Sequence, residues 1–237
     1  MSSSYGSVEL IDSMGNDLRV VNSARVSYNK QSEWQRNNWS TEEQKLTKHL
    51  KEADAGLLNF LMREHHGTPF EMVVFTFRVK CPIGVAREWQ RHRIGSFNEV
   101  STRYVEMEQE FYVPEGNAVR TQVGKPGHYT FESLHAIDAE AVQATMRHAY
   151  NYAYQWYQEL IHMDLAKEVA RNVLPLGLMT QFYWTVNLRS LFNFLSLRTA
   201  DSALFEIREL AKMVEELARP VVPECFSVFD KHGRAAP

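Results

Sequence analysis

The amino-acid sequence predicts a single α+β domain over residues 1–237, with a central, mostly antiparallel sheet flanked by helices. Residues 70–80 alternate apolar and polar side chains, and residues 180–187 are rich in β-branched and aromatic side chains, so both are predicted strands. Residues 132–163 instead place apolar side chains at helical intervals. The sequence shows no internal repeat, low-complexity linker or change in composition that would mark a domain boundary.

Two short β-rich pieces lie near the N-terminus, SVELI at 7–11 and ARVSY at 24–28, and the turn-forming residues MGND separate them. The stretch from Ser40 to Glu43 has the form of a helix-capping box, which satisfies backbone N–H groups at a helix start. Leucine and alanine side chains then recur at near-helical spacing. The sequence therefore predicts a helix from about residue 41 to residue 65.

Helices are also predicted after each of the two strands. Proline suits the first helical turn, so Pro82 is expected to open a helix over 83–93, which a loop of glycine, serine and asparagine then follows. Residues 188–197 and 204–217 again show helical spacing. The last residues, about 230–237, are expected to form a flexible tail.

Composition limits the classes of function. With 44% hydrophobic and 23% charged residues, the chain is typical of a globular protein, and its net charge of −3 argues against a protein that coats nucleic acid. No signal-peptide pattern or membrane-spanning apolar run is present, so we expect a cytoplasmic protein without a membrane partner. Cys81 and Cys225 are too far apart for a zinc knuckle or a CxxC pair, and no metal site is predicted.

The most informative stretch runs from Arg91 to Tyr104, where a cationic helix end leads into a polar loop. Arginine holds phosphate through paired N–H donors, and serine hydroxyls and loop N–H groups add further hydrogen bonds. Glu99 can accept a hydrogen bond from a hydroxyl or an imide N–H. The charge pattern alone fits a nucleotide monophosphate site and a solvated helix end equally well.

The main alternative function is a nucleic-acid-binding or phosphodiester-processing protein that uses the segment from Arg91 to Arg103 against a phosphate backbone. This alternative fits the local charge but not the acidic net charge. A metal-dependent nuclease would also need clustered carboxylates or histidines, and His65, His66 and Glu71 form only a weak cluster.

Several motifs in order resemble the flavin-dependent thymidylate synthases. The family signature is R-H-R followed by a serine, here Arg91 to Arg93 with Ser101, and the extension N-E-x-S-x-R-Y is present at 98–104. An ordered set of matches is far more specific than R-H-R alone. The other matching segments are MGNDL at 14–18, ARVSY at 24–28, HGTPFE at 66–71, FTFRVKCPI at 75–83, VARNVLPL at 169–176, FYWTVNLRSLFNFLSLR at 182–198 and EIR at 206–208.

The resemblance implies roles for residues at matching positions. Arg198 is the implied catalytic residue, which polarises the uracil ring, and Ser101 and Arg103 are implied to lie by the phosphate of dUMP. The full implied dUMP-binding set is Glu88, Trp89, Gln90, Arg91, Glu99, Val100, Ser101, Thr102, Arg103, Arg171 and Arg198. The implied FAD-binding set is His66, Thr68, Arg91, His92, Arg93, Glu99, Asn187, Leu188, Arg189 and Asn193.

The chain departs from the family pattern at two places. Glu88 stands where many relatives carry glutamine, so a carboxylate would make the implied uracil contact. After Arg198, the segment TADSALFEIR offers Ser202 and Leu204 where relatives often have histidine and glutamine. These departures put individual ligand contacts in question, but not the family resemblance.

Simpler structural interpretations exist for several of these side chains. Without the family match, Arg171 and Arg198 would be assigned to helix ends or to ion pairs with Glu168 and Asp201. Cys81 could be proposed as a nucleophile, but it ends an apolar strand and is better interpreted as a buried small side chain.

The resemblance also implies the reaction and the assembly. NADPH reduces FAD, a one-carbon unit passes from 5,10-methylenetetrahydrofolate to C5 of dUMP, and the product is dTMP. The implied partners are dUMP, folate and NADPH, without nucleic acid, in a homotetramer with shared active sites. A flavoprotein without catalytic activity is a further alternative, but it would have no need to keep Ser101, Arg103, Arg171 and Arg198.

Overall fold

The computed structural model describes residues 1–36, 48–125 and 128–237. The strands are β1 (Ser2–Ser3), β2 (Gly6–Met14), β3 (Gln35–Arg36), β4 (Lys48–His49), β5 (Val74–Pro82), β6 (Ser96–Glu99), β7 (Arg120–Lys125), β8 (His128–Ser133) and β9 (Met179–Asn187). The helices are α1 (Asp17–Arg25), α2 (Glu52–Arg63), α3 (Ile83–Trp89), α4 (Ala136–His162), α5 (Lys167–Ala170), α6 (Leu188–Arg198), α7 (Phe205–Ala218) and α8 (Pro223–Lys231). Over these described ranges, none of the helices combines the length and apolar character needed to cross a membrane.

A five-stranded sheet with the order β1, β2, β5, β9, β6 forms the centre of the fold, and all its neighbouring strands are antiparallel. Phe77 of β5 lies opposite Trp184 of β9, and Phe75 lies opposite Val186, with all four side chains buried. Polar side chains alternate with them on the other face, as strand geometry requires. The predicted combination of helices with a mostly antiparallel sheet is confirmed.

The prediction that ARVSY is β-rich was wrong. Its first two residues end α1, and Val26–Tyr28 forms a 3₁₀ helix. Asn16 starts α1, because its side-chain oxygen accepts a hydrogen bond from the N–H of Arg19 at 3.1 Å, and Asp17 suits the first turn. A good helix start therefore overrides the strand preference of the β-branched residues that follow.

Several predicted boundaries also differ from the structure. The helix expected from about 41 begins at Glu52, since residues 48–49 form β4, and the proposed capping box at 40–43 lies outside the described residues. The helix expected over 83–93 ends at Trp89, and the loop expected after it contains β6. The hairpin of β7 and β8 and the helices α1 and α8 had no sequence prediction.

The C-terminal residues pack against the domain. The helix α8 runs to Lys231, so the tail expected over 230–237 begins inside a helix. Pro237 is buried, and its carbonyl oxygen accepts a hydrogen bond from Nε of Arg189 at 2.9 Å. The end of the chain is therefore anchored beside the start of α6.

A buried carboxylate fixes the segment that follows α1. Asp54 on α2 is fully buried, and it accepts hydrogen bonds from Nε of Arg25 at 2.9 Å and from the hydroxyl of Ser32. The backbone N–H of Ser32 also donates to Oδ1 of Asn22 at 2.7 Å. These contacts hold residues 26–32 against α2, where they line the groove described below.

We expect Asp54→Ala to lower the free energy of unfolding by about 3 kcal/mol, because it leaves Arg25 and Ser32 without their buried acceptor. Glu9→Ala is the matched control: it also removes an arginine partner, but the Glu9–Arg78 pair is exposed, so its loss should cost about 0–1 kcal/mol. Urea unfolding of both variants measures the difference. Equal small losses would contradict a structural role for Asp54.

Candidate active site

An aromatic cluster brings the end of α3 against α6. Trp89, the last residue of α3, is fully buried, with its ring centroid 4.6 Å from that of Phe194 and 5.3 Å from that of Trp184. Gly95 then crosses close to Trp184, where an added Cβ would lie only 2.9 Å from the indole Nε1. The segment between Trp89 and Gly95, which contains the R-H-R motif, is therefore fixed beside the aromatic core.

Arg198, the last residue of α6, is held by this segment. Its Nε donates to Nε2 of His92 at 2.9 Å, its Nη1 donates to Oε2 of Glu88 at 3.3 Å, and its Nη2 donates to the carbonyl oxygen of Glu88 at 3.3 Å. The side chain of Arg198 is 20% exposed and that of Glu88 is 38% exposed. The guanidinium is thus partly buried but still reaches the surface.

His92 lies between Arg198 and the core. Its ring makes an edge contact with Phe194, with centroids 5.0 Å apart. Burial lowers the pKa of His92 to about 4, and the positive charges of Arg198 and Arg91 add to the effect. His92 is therefore neutral at neutral pH and can accept the hydrogen bond from Arg198.

Glu99 ties the end of α3 to the central sheet. One carboxylate oxygen accepts a hydrogen bond from the side chain of Gln90 at 3.0 Å, and the other accepts from the hydroxyl of Thr180 at 2.6 Å. The next residue, Val100, donates its N–H to the carbonyl of Gln181 at 2.9 Å. The loop that begins at Ser101 is therefore positioned by β6 and β9.

That loop meets the turn that contains Arg171. The N–H of Arg103 donates to Oγ of Ser101 at 3.3 Å, and Nε of Arg103 donates to Glu168 at 2.9 Å. Arg171 donates from Nη1 to the hydroxyl of Thr102 at 2.6 Å. Two guanidinium groups and two hydroxyls thus gather at one place, which suits a phosphate dianion.

Three predicted FAD residues line a second region, a groove with a volume of about 1630 Å³. His66 and Thr68 are exposed there, and Arg189 donates from Nη1 to Glu71 at 2.7 Å. Gly67 leaves room for the guanidinium of Arg189, which a Cβ at this position would displace. Ligand pockets usually measure about 300–1,000 Å³, so this groove has room for a dinucleotide.

No site role was predicted for the other residues of this groove, several of which lie in or next to the MGNDL and ARVSY segments. Those two segments matched the family and were the signal that could have identified them. Arg19 and Lys30 supply positive charge, and the ring of Tyr28 is 79% exposed. Cations and an exposed aromatic face suit a dinucleotide with a pyrophosphate and flat rings.

Other predicted site residues occupy different environments. Trp89 and Leu188 are fully buried, so in this chain neither residue is accessible to a ligand. Asn187 caps α6, accepting from the N–H of Ser190 at 2.9 Å. The side chains of the remaining predicted residues, Arg91, Arg93 and Asn193, are exposed.

The segment after Arg198 carries the second family departure. Leu204 is partly buried against the core, and Ser202 lines a separate cavity of about 590 Å³ between this segment and the β7–β8 hairpin. Neither side chain belongs to the groove or to the cluster around Arg198.

The predicted FAD residues of one chain do not gather at one place. Arg189 lies in the first turn of α6 and Arg198 ends the helix, so about 14 Å of helix separates them along the axis. His66 and Thr68 lie with Arg189, whereas His92 lies with Arg198. A single chain thus presents two half-sites, one at each end of α6.

The two cysteines are buried, and burial raises the pKa of the Cys81 thiol well above its usual range, with a smaller contribution from the charge of Glu99. Cys81 is therefore poorly suited to act as a thiolate nucleophile. Among the described residues, no group of three or more His, Cys, Asp or Glu side chains is arranged to hold a metal ion.

Comparisons with known proteins cover nearly the whole chain. The family model described as "Thymidylate synthase complementing protein" matches residues 9–224. A flavin-dependent thymidylate synthase of Thermus thermophilus is 43% identical over 227 residues, which cover 96% of this chain and 76% of the relative. That of Thermotoga neapolitana is 42% identical over 228 residues, covering 96% and 92%.

Solved structures extend the match to the fold. A UMP/dUMP methylase, PolB from Streptomyces cacaoi bound with 5-Br UMP, has a TM-score of 0.85 and 35% identity, covering 100% of this chain and 98% of that chain. The same methylase bound with 5-Br dUMP also has a TM-score of 0.85, with 36% identity. Since the family model and several relatives agree over most of its length, this chain belongs to the flavin-dependent thymidylate synthase family.

Proposed function

We propose that this chain methylates dUMP to dTMP, with 5,10-methylenetetrahydrofolate as one-carbon donor, FAD as the flavin and NADPH as reductant. The observation that carries this proposal is the arrangement of two clusters: Arg198, a partly buried guanidinium, and the loop with Ser101 and Arg103, which meets the turn that contains Arg171. The hydrogen bond between Gln90 and Glu99 connects the two clusters. We place the pyrimidine by Arg198 and the phosphate by the loop.

A cytoplasmic location remains a prediction.

At the phosphate end, the ion pair of Arg103 is weak. Arg103 and Glu168 are both more than half exposed, so their ion pair contributes little stability. A phosphate dianion is a stronger partner for a guanidinium than an exposed carboxylate, since it offers more charge and bidentate geometry. Arg103 can therefore exchange Glu168 for the nucleotide at small cost.

At the pyrimidine end, Arg198 supplies positive charge where negative charge develops on the uracil ring during addition at C5. A fixed guanidinium stabilises that charge most strongly in the transition state, because it needs no reorganisation. The ring is then activated without attack by a side chain, which agrees with the unsuitable state of Cys81.

For the flavin, the groove supplies His66, Thr68 and Arg189, and the opposite half-site supplies His92 and the R-H-R backbone. When bound, FAD reduced by NADPH supplies the hydride that completes the methyl group. The protein's own task is to hold the rings in line with the pyrimidine and to exclude water from the reacting atoms.

We further propose that the functional form is a homotetramer with shared active sites. The two half-sites lie about 14 Å apart along α6, so one flavin ring does not reach both, and a second chain could supply the other half-site to the same ring. The outer face of α4 exposes large apolar side chains that suit burial between copies of the chain. These are Ile137, Tyr152, Trp156 and Met163.

The first test is the purified protein itself. Bound oxidised flavin should absorb near about 370 and about 450 nm. The protein should form dTMP from dUMP only when both methylenetetrahydrofolate and NADPH are present. UMP is assayed in parallel, because the solved relative is described as a UMP/dUMP methylase. A colourless protein that FAD cannot reconstitute would remove the proposal.

We expect Ser101→Ala to weaken dUMP binding but to preserve turnover at saturating dUMP. A hydroxyl that donates to phosphate contributes about 1.5–3 kcal/mol to binding and takes no part in the methyl transfer. Titration with dUMP and steady-state kinetics measure both effects. The control is Ser227→Ala on the exposed face of α8. Loss of turnover in a folded, FAD-loaded Ser101→Ala variant would instead indicate a serine nucleophile.

We expect Arg198→Lys to reduce dTMP formation about 100-fold while FAD content and NADPH oxidation persist. Lysine keeps the charge but loses the planar fork that three acceptors now hold. Flavin reduction and dTMP formation are measured on the same preparation. Arg219→Lys, which changes an ion-paired arginine between α7 and α8, is the control. Near-normal dTMP formation by Arg198→Lys would eliminate the catalytic role.

A further inference from the structure

The Arg198 side chain is held at three points by its own chain. A guanidinium has five N–H groups, and three of them are already engaged: Nε–H with His92, one Nη1–H with the Glu88 carboxylate, and one Nη2–H with the Glu88 carbonyl. Arginine otherwise loses much rotamer freedom when a ligand orders it. Here that freedom is lost when the chain folds.

We infer that His92 and Glu88 are positioning residues that hold Arg198 by hydrogen-bond acceptors, leaving two of its five N–H groups to meet the pyrimidine. This inference rests on the proposed function and adds to it, since His92 was assigned only to FAD and Glu88 only to direct contact with dUMP. We call these acceptors the Arg198 clamp: Nε2 of His92, Oε2 of Glu88 and the carbonyl oxygen of Glu88.

His92 is suited to this task because it is a neutral acceptor in a cationic neighbourhood. To accept from Arg198 at Nε2, its ring proton must sit on Nδ1. Its burial against Phe194 and the nearby charges of Arg198 and Arg91 lower its pKa to about 4, which keeps the ring uncharged. A charged ring would have no lone pair to offer and would repel Arg198.

Glu88 contributes an oxygen in the right place, and we expect its negative charge to matter less. The carbonyl oxygen of residue 88 holds Nη2 whatever the side chain is, so the carboxylate fixes only Nη1. A glutamine side chain presents an oxygen at the same reach. The clamp therefore requires acceptors at positions 88 and 92, not a salt bridge.

The test compares variants that keep an acceptor with variants that remove it. Gln at position 92 can present an oxygen near the place of Nε2, whereas Leu keeps the apolar contact and Asn is too short to reach. We expect His92→Leu and His92→Asn to lower kcat for dTMP formation about tenfold when the protein is saturated with FAD, with KM for dUMP changed less than about threefold. His92→Gln should stay within about threefold of wild type. Glu88→Leu and Glu88→Gln should differ in the same way.

Crystal structures of the variants give a readout that does not depend on activity. In His92→Leu the guanidinium of Arg198 should leave its present position, and in His92→Gln it should stay on Glu88. The matched control is Glu215→Gln, which removes a carboxylate partner from Arg219 and Arg234 far from the clamp. It should change thermal stability but not kcat.

Two results would overturn the clamp. One is unchanged kcat and an unmoved Arg198 in both His92→Leu and His92→Asn. The other is loss of FAD from these variants with Arg198 still on Glu88, which would make His92 a flavin ligand only. If wild-type protein forms no dTMP, the proposed function fails, but the crystal structures still decide whether His92 and Glu88 hold Arg198.

Discussion

The packing of Trp89 against Phe194 and Trp184 is the contact on which the candidate site depends. These rings join the end of α3, the interior strand β9 and the second half of α6. Large aromatic side chains in a close-packed core resist displacement, so the backbone between Trp89 and Gly95 cannot move without a loss of core packing. Core packing therefore brings Arg198 to the R-H-R motif, where it donates to the neutral His92, in spite of the repulsion between Arg198 and the arginines of the motif.

That repulsion explains why the side chains that contact Arg198 are a neutral histidine and a glutamate. Arg91, Arg93 and Arg198 concentrate positive charge near one helix end. The neutral His92 stands between Arg91 and Arg93 in sequence. Glu88 offsets part of the charge of Arg198. A cluster of this kind costs folding stability and is retained where an anion is to be bound. The same reasoning favours a nucleotide over a structural role for these arginines.

Sequence patterns predicted those parts of the fold that local chemistry determines. Alternation located β5, β-branched and aromatic composition located β9, and apolar spacing located α4, α6 and α7 within a few residues. The conformation of ARVSY was predicted wrongly because it depends on the cap of α1 and on a carboxylate distant in sequence, that of Asp54. Motif matching found the residues of the site but not their contacts. The pairing of Arg198 with Glu88 spans 110 positions in sequence, and it follows from ring packing that no local pattern records.

The two ends of the proposed nucleotide site differ in rigidity, and this difference fits their separate tasks. At the phosphate end, Arg103 is exposed and its partner Glu168 is readily replaced, so binding energy can be gained there by exchange. At the pyrimidine end, Arg198 is partly buried and three acceptors hold it, so it cannot follow the substrate and instead has a fixed position. Energy gained at the mobile phosphate end can then draw the pyrimidine toward a charge that is already oriented. In such an arrangement, binding of the phosphate lowers the barrier to reaction at the pyrimidine as well as the dissociation constant of dUMP.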